Sequence, residues 1–449
     1  MTKGILTSLL FFMMSVGLLN AQAKEDWINL YTTKGQVSMD KAMLVGTDAN
    51  GNTYVTGTSM TDLVPNDDIH TIKLDKDGKF QWAAIYNGDG NYNDKPLDMY
   101  VDPQGSVYIT GSSTGANNTA ADMITIKYNS SGKEEWVARY NGTGEGHREE
   151  GRAISVDANG DIYVFGVAPH IALDNSGDDF ALVKYNSLGQ QQWVKAYDDG
   201  ISSGEGIDMV IDGSGIYVTG ANGGPSFNIK TIKYDKDGNI MWEAEYDGGA
   251  NDIPVAITVD ATGNVIVTGA TQPAGGNFDI VTIKYSNSGQ ELWKHTYAGT
   301  AGKPDEPVAI LTDASGNIYM AGVAVTQNKK DYLLIKYAPD GNVLWSNLFD
   351  GGSNSDDVAR DMVMDSQGNI YIVGNALLFN INPMPTMTTV KYDSNGALEW
   401  SATSNSNPGQ PDFTEAISIS LIDGGVVVTG TTMADPAKID YCTIRYGSF

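Results

Sequence analysis

Two series of carboxylates recur along this 449-residue sequence at a spacing regular enough for them to act together. The first comprises Asp40, Asp94, Glu149, Asp252, Asp305 and Asp357, each eight residues before the Asp of a D-x-x-G turn; Glu205 lies one place off in the fourth repeat, and Asp412 or Glu415 serves the last. The second comprises Asp68, Asp122, Asp179, Asn228, Asp279, Asp331 and Asp440, with Thr386 as the exception. A ring of carboxylates offers oxygen ligands to a hard cation such as calcium. Paired carboxylates are also the groups of acid–base hydrolysis or elimination. The competing role is local: each acid accepts backbone N–H bonds and caps its own loop. Recurrence in every repeat favours capping, because a ligand site normally draws on a few repeats only.

Other chemistries find little support. His70, His147, His170 and His295 fall in separate repeats without metal-ligand spacing, and no HExxH, GxSxG or P-loop pattern occurs. Asp235-Lys236-Asp237-Gly238 and Asp75-Lys76-Asp77-Gly78 lack the closing Glu of an EF-hand and read as hairpin turns. No residue is assigned a catalytic or cofactor-binding role, calcium excepted as a candidate ion for the six acids of the first series. Asp and Glu outnumber Lys and Arg by 55 to 28. Without clustered bases to release counterions, nucleic acid is not an expected partner.

The acids must be positioned by strands. Trp27, Trp82, Trp136, Trp193, Trp242, Trp293, Trp345 and Trp400 mark a period of about 53 residues, within which only strand and turn signals appear. The stretch Ile283–Tyr297, IKYSNSGQELWKHTY, shows the unit's second half: a strand, a tight turn and a strand carrying the tryptophan. In seven repeats a lysine precedes that tryptophan by nine residues, from Lys73–Trp82 to Lys391–Trp400. These lysines are expected to form inter-blade ion pairs with the first-turn Asp residues, and the tryptophans to pack between blades.

Three strands follow Trp400, and one orphan strand, Trp27–Tyr31, precedes the first full repeat. The expected fold is therefore all-β: an eight-bladed β-propeller closed by the N-terminal strand completing the last blade. Blades are expected at about 40–86, 94–140, 149–197, 205–246, 252–297, 305–349 and 357–404, and at 412–449 with 27–31, in one domain spanning 24–449.

Residues 1–23 read as a signal peptide: Lys3, an apolar run from Ile5 to Leu19, and Ala21-Gln22-Ala23 as the cleavage site. Export to the periplasm, cell surface or medium is expected. No cysteine near the cleavage site offers a lipid anchor, no later segment reads as transmembrane, and Cys442 alone cannot form an internal disulfide.

The pattern V-D-x-x-G-N-x-Y-V-T-G followed by D-x-x-T-I-K-Y-x-x-x-G-x-x-x-W resembles the bacterial SBBP β-propeller repeat. The resemblance implies an extracytoplasmic propeller and no particular activity. Quinoprotein dehydrogenases share the turn, glycine and tryptophan of the blade; many carry a vicinal disulfide, which this sequence cannot make. Eight-bladed scaffold proteins of outer-membrane assembly are a closer analogy, although those are lipid-anchored.

In up-and-down blades the two variable connections emerge on one face and the tight turns on the other. Variable loops on a rigid scaffold are where binding resides. On that face the apolar Leu377, Leu378 and Phe379, and the pair His147–Arg148, are the partner-binding candidates. The expected function is an exported, monomeric binding scaffold that recognises a protein or glycan through this face. The alternative is a hydrolase or lyase using carboxylates at the channel mouth.

Overall fold

The computed structural model describes residues 23–33, 38–60, 66–116, 120–142, 148–169, 178–197, 204–224, 226–299, 302–326, 329–351, 355–376, 386–404, 418–435 and 438–447. Among them there are 32 strands and no α-helix, so no helix is long and apolar enough to cross a membrane.

The strands form four-stranded antiparallel meanders, numbered here as units. Units two to seven span Asp94–Tyr140, Glu150–Tyr197, Gly204–Tyr246, Asp252–Tyr297, Glu306–Phe349 and Val358–Thr403. Unit one is Ser38–Tyr86, and unit eight joins Ser418–Ile422, Gly425–Asp435 and Lys438–Gly447 to the N-terminal strand Lys24–Tyr31. That last strand pairs antiparallel with Lys438–Gly447, from Lys24 opposite Gly447 to Tyr31 opposite Tyr441. A short parallel bridge, Ser38 to Lys438 and Met39 to Ile439, links units eight and one. Each unit's first strand packs on the first strand of the next, and Ser418–Ile422 packs on Ser38–Thr47. This repeated array is a β-propeller architecture.

The residue pattern explains the layering. Second strands such as Val107–Thr114 are buried on both faces and read as continuous apolar and Thr-rich runs. Fourth strands such as Phe80–Tyr86 alternate exposed and half-buried positions and form the outer edge. The core lies between sheets: Tyr54 and Ile69 of unit one pack against Val107, Ile109, Ile124 and Ile126 of unit two.

Every first strand of units one to seven carries a bulge, as between Pro96 and Asp98. The second-strand glycine stands opposite it. Gly111 pairs with Pro96, and a Cβ on Gly111 would overlap the Lys95 carbonyl oxygen. That obstacle is backbone and cannot rotate away, so Gly111→Ala is expected to cost about 2–4 kcal/mol in urea denaturation.

Candidate functional site

The first acidic series is buried and hydrogen-bonded to the chain. Asp40, Asp94, Glu149, Asp252, Asp305 and Asp357 are all at most 1% exposed, so they do not stand open at a channel mouth. Each faces the link that precedes its own strand. Asp40 Oδ2 accepts the Thr33 amide at 2.8 Å, and Asp94 Oδ2 accepts Gly88 N–H at 2.8 Å. Glu149 accepts from Gly142 at 3.1 Å, Asp252 from Gly248 at 2.5 Å, Asp305 from Gly299 at 2.6 Å and Asp357 from Gly351 at 2.6 Å. Capping is thus what these side chains do. Removing one leaves a half-buried loop amide without its acceptor, so Asp252→Ala is expected to cost about 1–3 kcal/mol by urea denaturation. Glu205 belongs to another position: it pairs with Ala221 as Ile253 pairs with Ala270, one place past the capping acid.

The second series meets the first at the unit junctions. Burial, and then the neighbouring Asp94, push Asp68 up to about 6. Burial, and then Asp305, raise Asp279. Asp122 is neutralised by Arg139 Nη1 at 2.7 Å. Among the described residues, one junction gathers three carboxylates: Asp331, Asp350 and Asp357 each place an oxygen within 4.8 Å of the others. Oxygen-only donors of this kind suit calcium chemically. Asp357 and Asp331 are, however, already committed to Gly351 N–H and the Thr326 hydroxyl.

The lysines correct a second expectation. Where they form ion pairs with first-turn acids, the pair lies within one unit: Lys284 with Asp260 at 2.9 Å, Lys184 with Asp161 at 2.8 Å. Across units they donate instead to backbone carbonyls, as Lys73 does to Ser130 O at 3.2 Å. They also sit over the second-strand tyrosine of their own unit, 5.0 Å for Lys73 on Tyr54 and 4.8 Å for Lys336 on Tyr319.

Two groups break the repeat. On the variable-loop edge of units three and four, Arg148 is 2.7 Å from Glu150, and Arg152 is 2.8 Å from Glu205 and 3.4 Å from Glu150. Asp178 and Glu205 each stand 4.0 Å from Arg148. The sequence singled out Arg148 and missed Arg152, which the bulge between Gly151 and Ala153 presents beside it. His147, Leu377, Leu378 and Phe379 lie outside the described residues, as do Asp412 and Glu415.

The other group is Asp98, Asp208 and Asp361, just past the bulges of units two, four and seven. Each reaches the first strand of the following unit: Ile154 N donates to Asp98 at 2.7 Å, Ile257 N to Asp208 at 2.9 Å, Ile419 N to Asp361 at 3.0 Å. Burial pushes Asp98 up to about 7, with Asp208 and Asp361 adding repulsion. Burial likewise pushes Asp208 and Asp361 up to about 6. Unlike the two periodic series, these acids belong to three units only, and burial raises all three.

No protein-family model matches the chain, so the SBBP resemblance rests on its motif. The chain is 22% identical over 524 residues to an uncharacterised WD repeat-containing protein of Acanthamoeba polyphaga mimivirus, an alignment that covers 88% of this chain and 35% of the relative's length. Among solved structures it is similar to the WD40 domain of SCAP from fission yeast, with a TM-score of 0.47 at 9% identity over 94% of this chain and 98% of that one. A periplasmic gluconolactonase of Pseudomonas aeruginosa gives 0.47 at 12% identity over 81% and 95%. A Dyadobacter fermentans protein of unknown function gives 0.46 at 8% identity over 96% and 100%.

Proposed function

We propose that this chain is an exported, monomeric eight-bladed β-propeller of the bacterial SBBP repeat type, closed by its N-terminal strand, that binds a protein or glycan on its variable-loop face. One observation carries the binding reading. The capping acids are spent on their own loops, whereas the Arg148–Glu150–Arg152–Glu205–Asp178 cluster on that face belongs to two units only. Arginine in a half-exposed charged network is a frequent anchor for partner recognition. The eightfold closed reading draws on the pairing of Lys24–Tyr31 with Lys438–Gly447 and on the packing of Ser418–Ile422 against Ser38–Thr47. Calcium, if bound, belongs at Asp331, Asp350 and Asp357.

Crosslinking capture from the native cell envelope, and a glycan array, test this with the Arg148→Glu/Arg152→Glu double variant beside the parent. Loss of at least one partner by tenfold or more is the expected result; an unchanged partner set from a folded double variant rejects the cluster. The second reading, a hydrolase or lyase, is favoured by Asp98, Asp208 and Asp361, whose shifted acidity suits proton transfer. Their hydrogen bonds to the chain make them wall constituents first. An activity abolished by Asp98→Asn with the fold intact would establish the enzyme instead.

A further inference from the structure

Among the described residues, the fourth strand of each unit has a hydrogen-bonded neighbour on one side only. Half of the backbone N–H and C=O groups of such an edge point away from the sheet. Soluble proteins keep these edges from pairing with other chains by placing charge on them. The positions one before, one after and three after the tryptophan alternate along the edge. They hold Asp26 in unit eight, Glu135 and Arg139 in unit two, Glu243 and Glu245 in unit four, Lys294 in unit five and Glu399 in unit seven. Units one and three place Gln81 and Gln192 there.

Unit six has neither a charge nor an amide side chain at these positions. Its edge strand, Val343–Phe349, presents Leu344, Ser346 and Leu348 as alternate exposed residues, the two leucines 52% and 49% exposed. The strand itself carries no charge. Acids stand only at its two ends: Asp340 in the turn before it and Asp350 directly after it, both exposed. The edge of unit one, Phe80–Tyr86, is also uncharged, but there Phe80 stacks on Tyr31 of the N-terminal strand at 5.4 Å.

We infer that the edge of unit six accepts an extended segment of another polypeptide as a fifth strand, apolar at alternate positions and bearing Lys or Arg at both ends. The outward backbone groups supply the ladder. Leu344 and Leu348 pack against alternate apolar side chains of the incoming strand, and Asp340 and Asp350 attract its basic ends. The same two acids disfavour a second copy of this chain as the occupant. Antiparallel self-pairing with Leu344 opposite Leu348 brings Asp340 of each copy towards Asp350 of the other, and a net charge of −27 on each adds repulsion. This edge is separate from the Arg148 cluster on the variable-loop face, and neither surface depends on the other.

The probe is a labelled peptide of alternating Val and Thr with two Lys at each end, titrated by anisotropy into the whole protein with EDTA present so that no cation occupies Asp350. Saturable binding is expected, weakened at least tenfold by Leu344→Ser/Leu348→Ser, whose parent side chains are exposed and leave the core intact. Glu ends on the peptide, or N-methylation of every Val and Thr, which removes its ladder donors, should weaken binding as much. Met241→Ser, on the charged edge of unit four, is expected to leave affinity unchanged. No saturable binding, indifference to N-methylation or to the double variant, or equal loss with Met241→Ser overturns the inference. A parent that dimerises in sedimentation velocity and loses the dimer with the double variant also overturns it, by assigning the edge to a second copy.

Discussion

The thermal midpoint is expected to rise as the pH is lowered from 8 to about 5. Burial pushes Asp98 and Glu149 up to about 7, and Asp68, Asp208 and Asp361 up to about 6. Unfolded, these groups titrate near 4. Between the two values the folded chain holds more protons than the unfolded chain, so stability grows as pH falls. This contribution is complete below about pH 4 and is lost as pH rises through 6 to 7. His70 opposes it. Burial holds His70 down to about 4, so the unfolded chain protonates first and stability declines from about pH 6.5 to 4.

Asp260 sets the acid limit. Although burial pushes the other way, Lys284 and the turn hydrogen bonds hold its carboxyl well below the usual range. Its contribution is present above about pH 4 and fades below that. Each tenfold difference in proton affinity is worth about 1.4 kcal/mol. The partly exposed Asp98, Asp208 and Asp361 deliver less than their full shift, because water screens them. The balance of these five acids against His70 and His295, which burial also lowers, corresponds to a rise of roughly 5–10 °C. Calorimetry from pH 4 to 8 checks it, and Asp98→Asn/Asp208→Asn/Asp361→Asn should flatten the profile. A midpoint that falls steadily from pH 8 to 5 would refute the assignment.

The second large effect is expected from the N-terminal strand. Deleting Lys24–Tyr31 removes the whole edge partner of Lys438–Gly447 and uncovers a long unpaired strand. It also removes Trp27 and Tyr31 from the core shared by units eight and one. Tyr31 stacks on Phe80 at 5.4 Å, meets His70 edge-on at 5.4 Å, and its hydroxyl lies 3.2 Å from His70 Nε2. The deletion should abolish cooperative unfolding and leave soluble aggregates on size exclusion. Tyr31→Ala alone should cost about 3 kcal/mol in guanidinium denaturation. A deletion variant that remains monomeric and unfolds at the parent's midpoint would remove the strand from the fold's foundation.

The lysines' partners could not be read without coordinates, but strand number, turn chemistry and the recurring spacing of lysine, turn glycine and tryptophan could. They depend on residues close in sequence and recur, so each repeat corroborates the others. The acids show the limit of that logic. Periodicity identified Asp94 and Asp252 and weighed capping against a cation; only the structure shows that they are buried and accept the amides of their own loops. Asp98, Asp208 and Asp361 stayed hidden because the same register position holds Leu44, Ala153, Ala256, Ala309 and Ser418 in the other units. Comparing the residue just past each bulge would have exposed them.

By itself, then, the amino-acid sequence determined an all-β array of tryptophan-marked repeats with one strand contributed from the far end, because hydrophobic alternation and turn glycines act locally. Tertiary structure alone decided which charges meet. Arg148 finds Asp178 and Glu205, and Asp98 senses Asp208 and Asp361, across separations that no local spacing encodes. The lateral packing of the sheets converts those distant positions into neighbours.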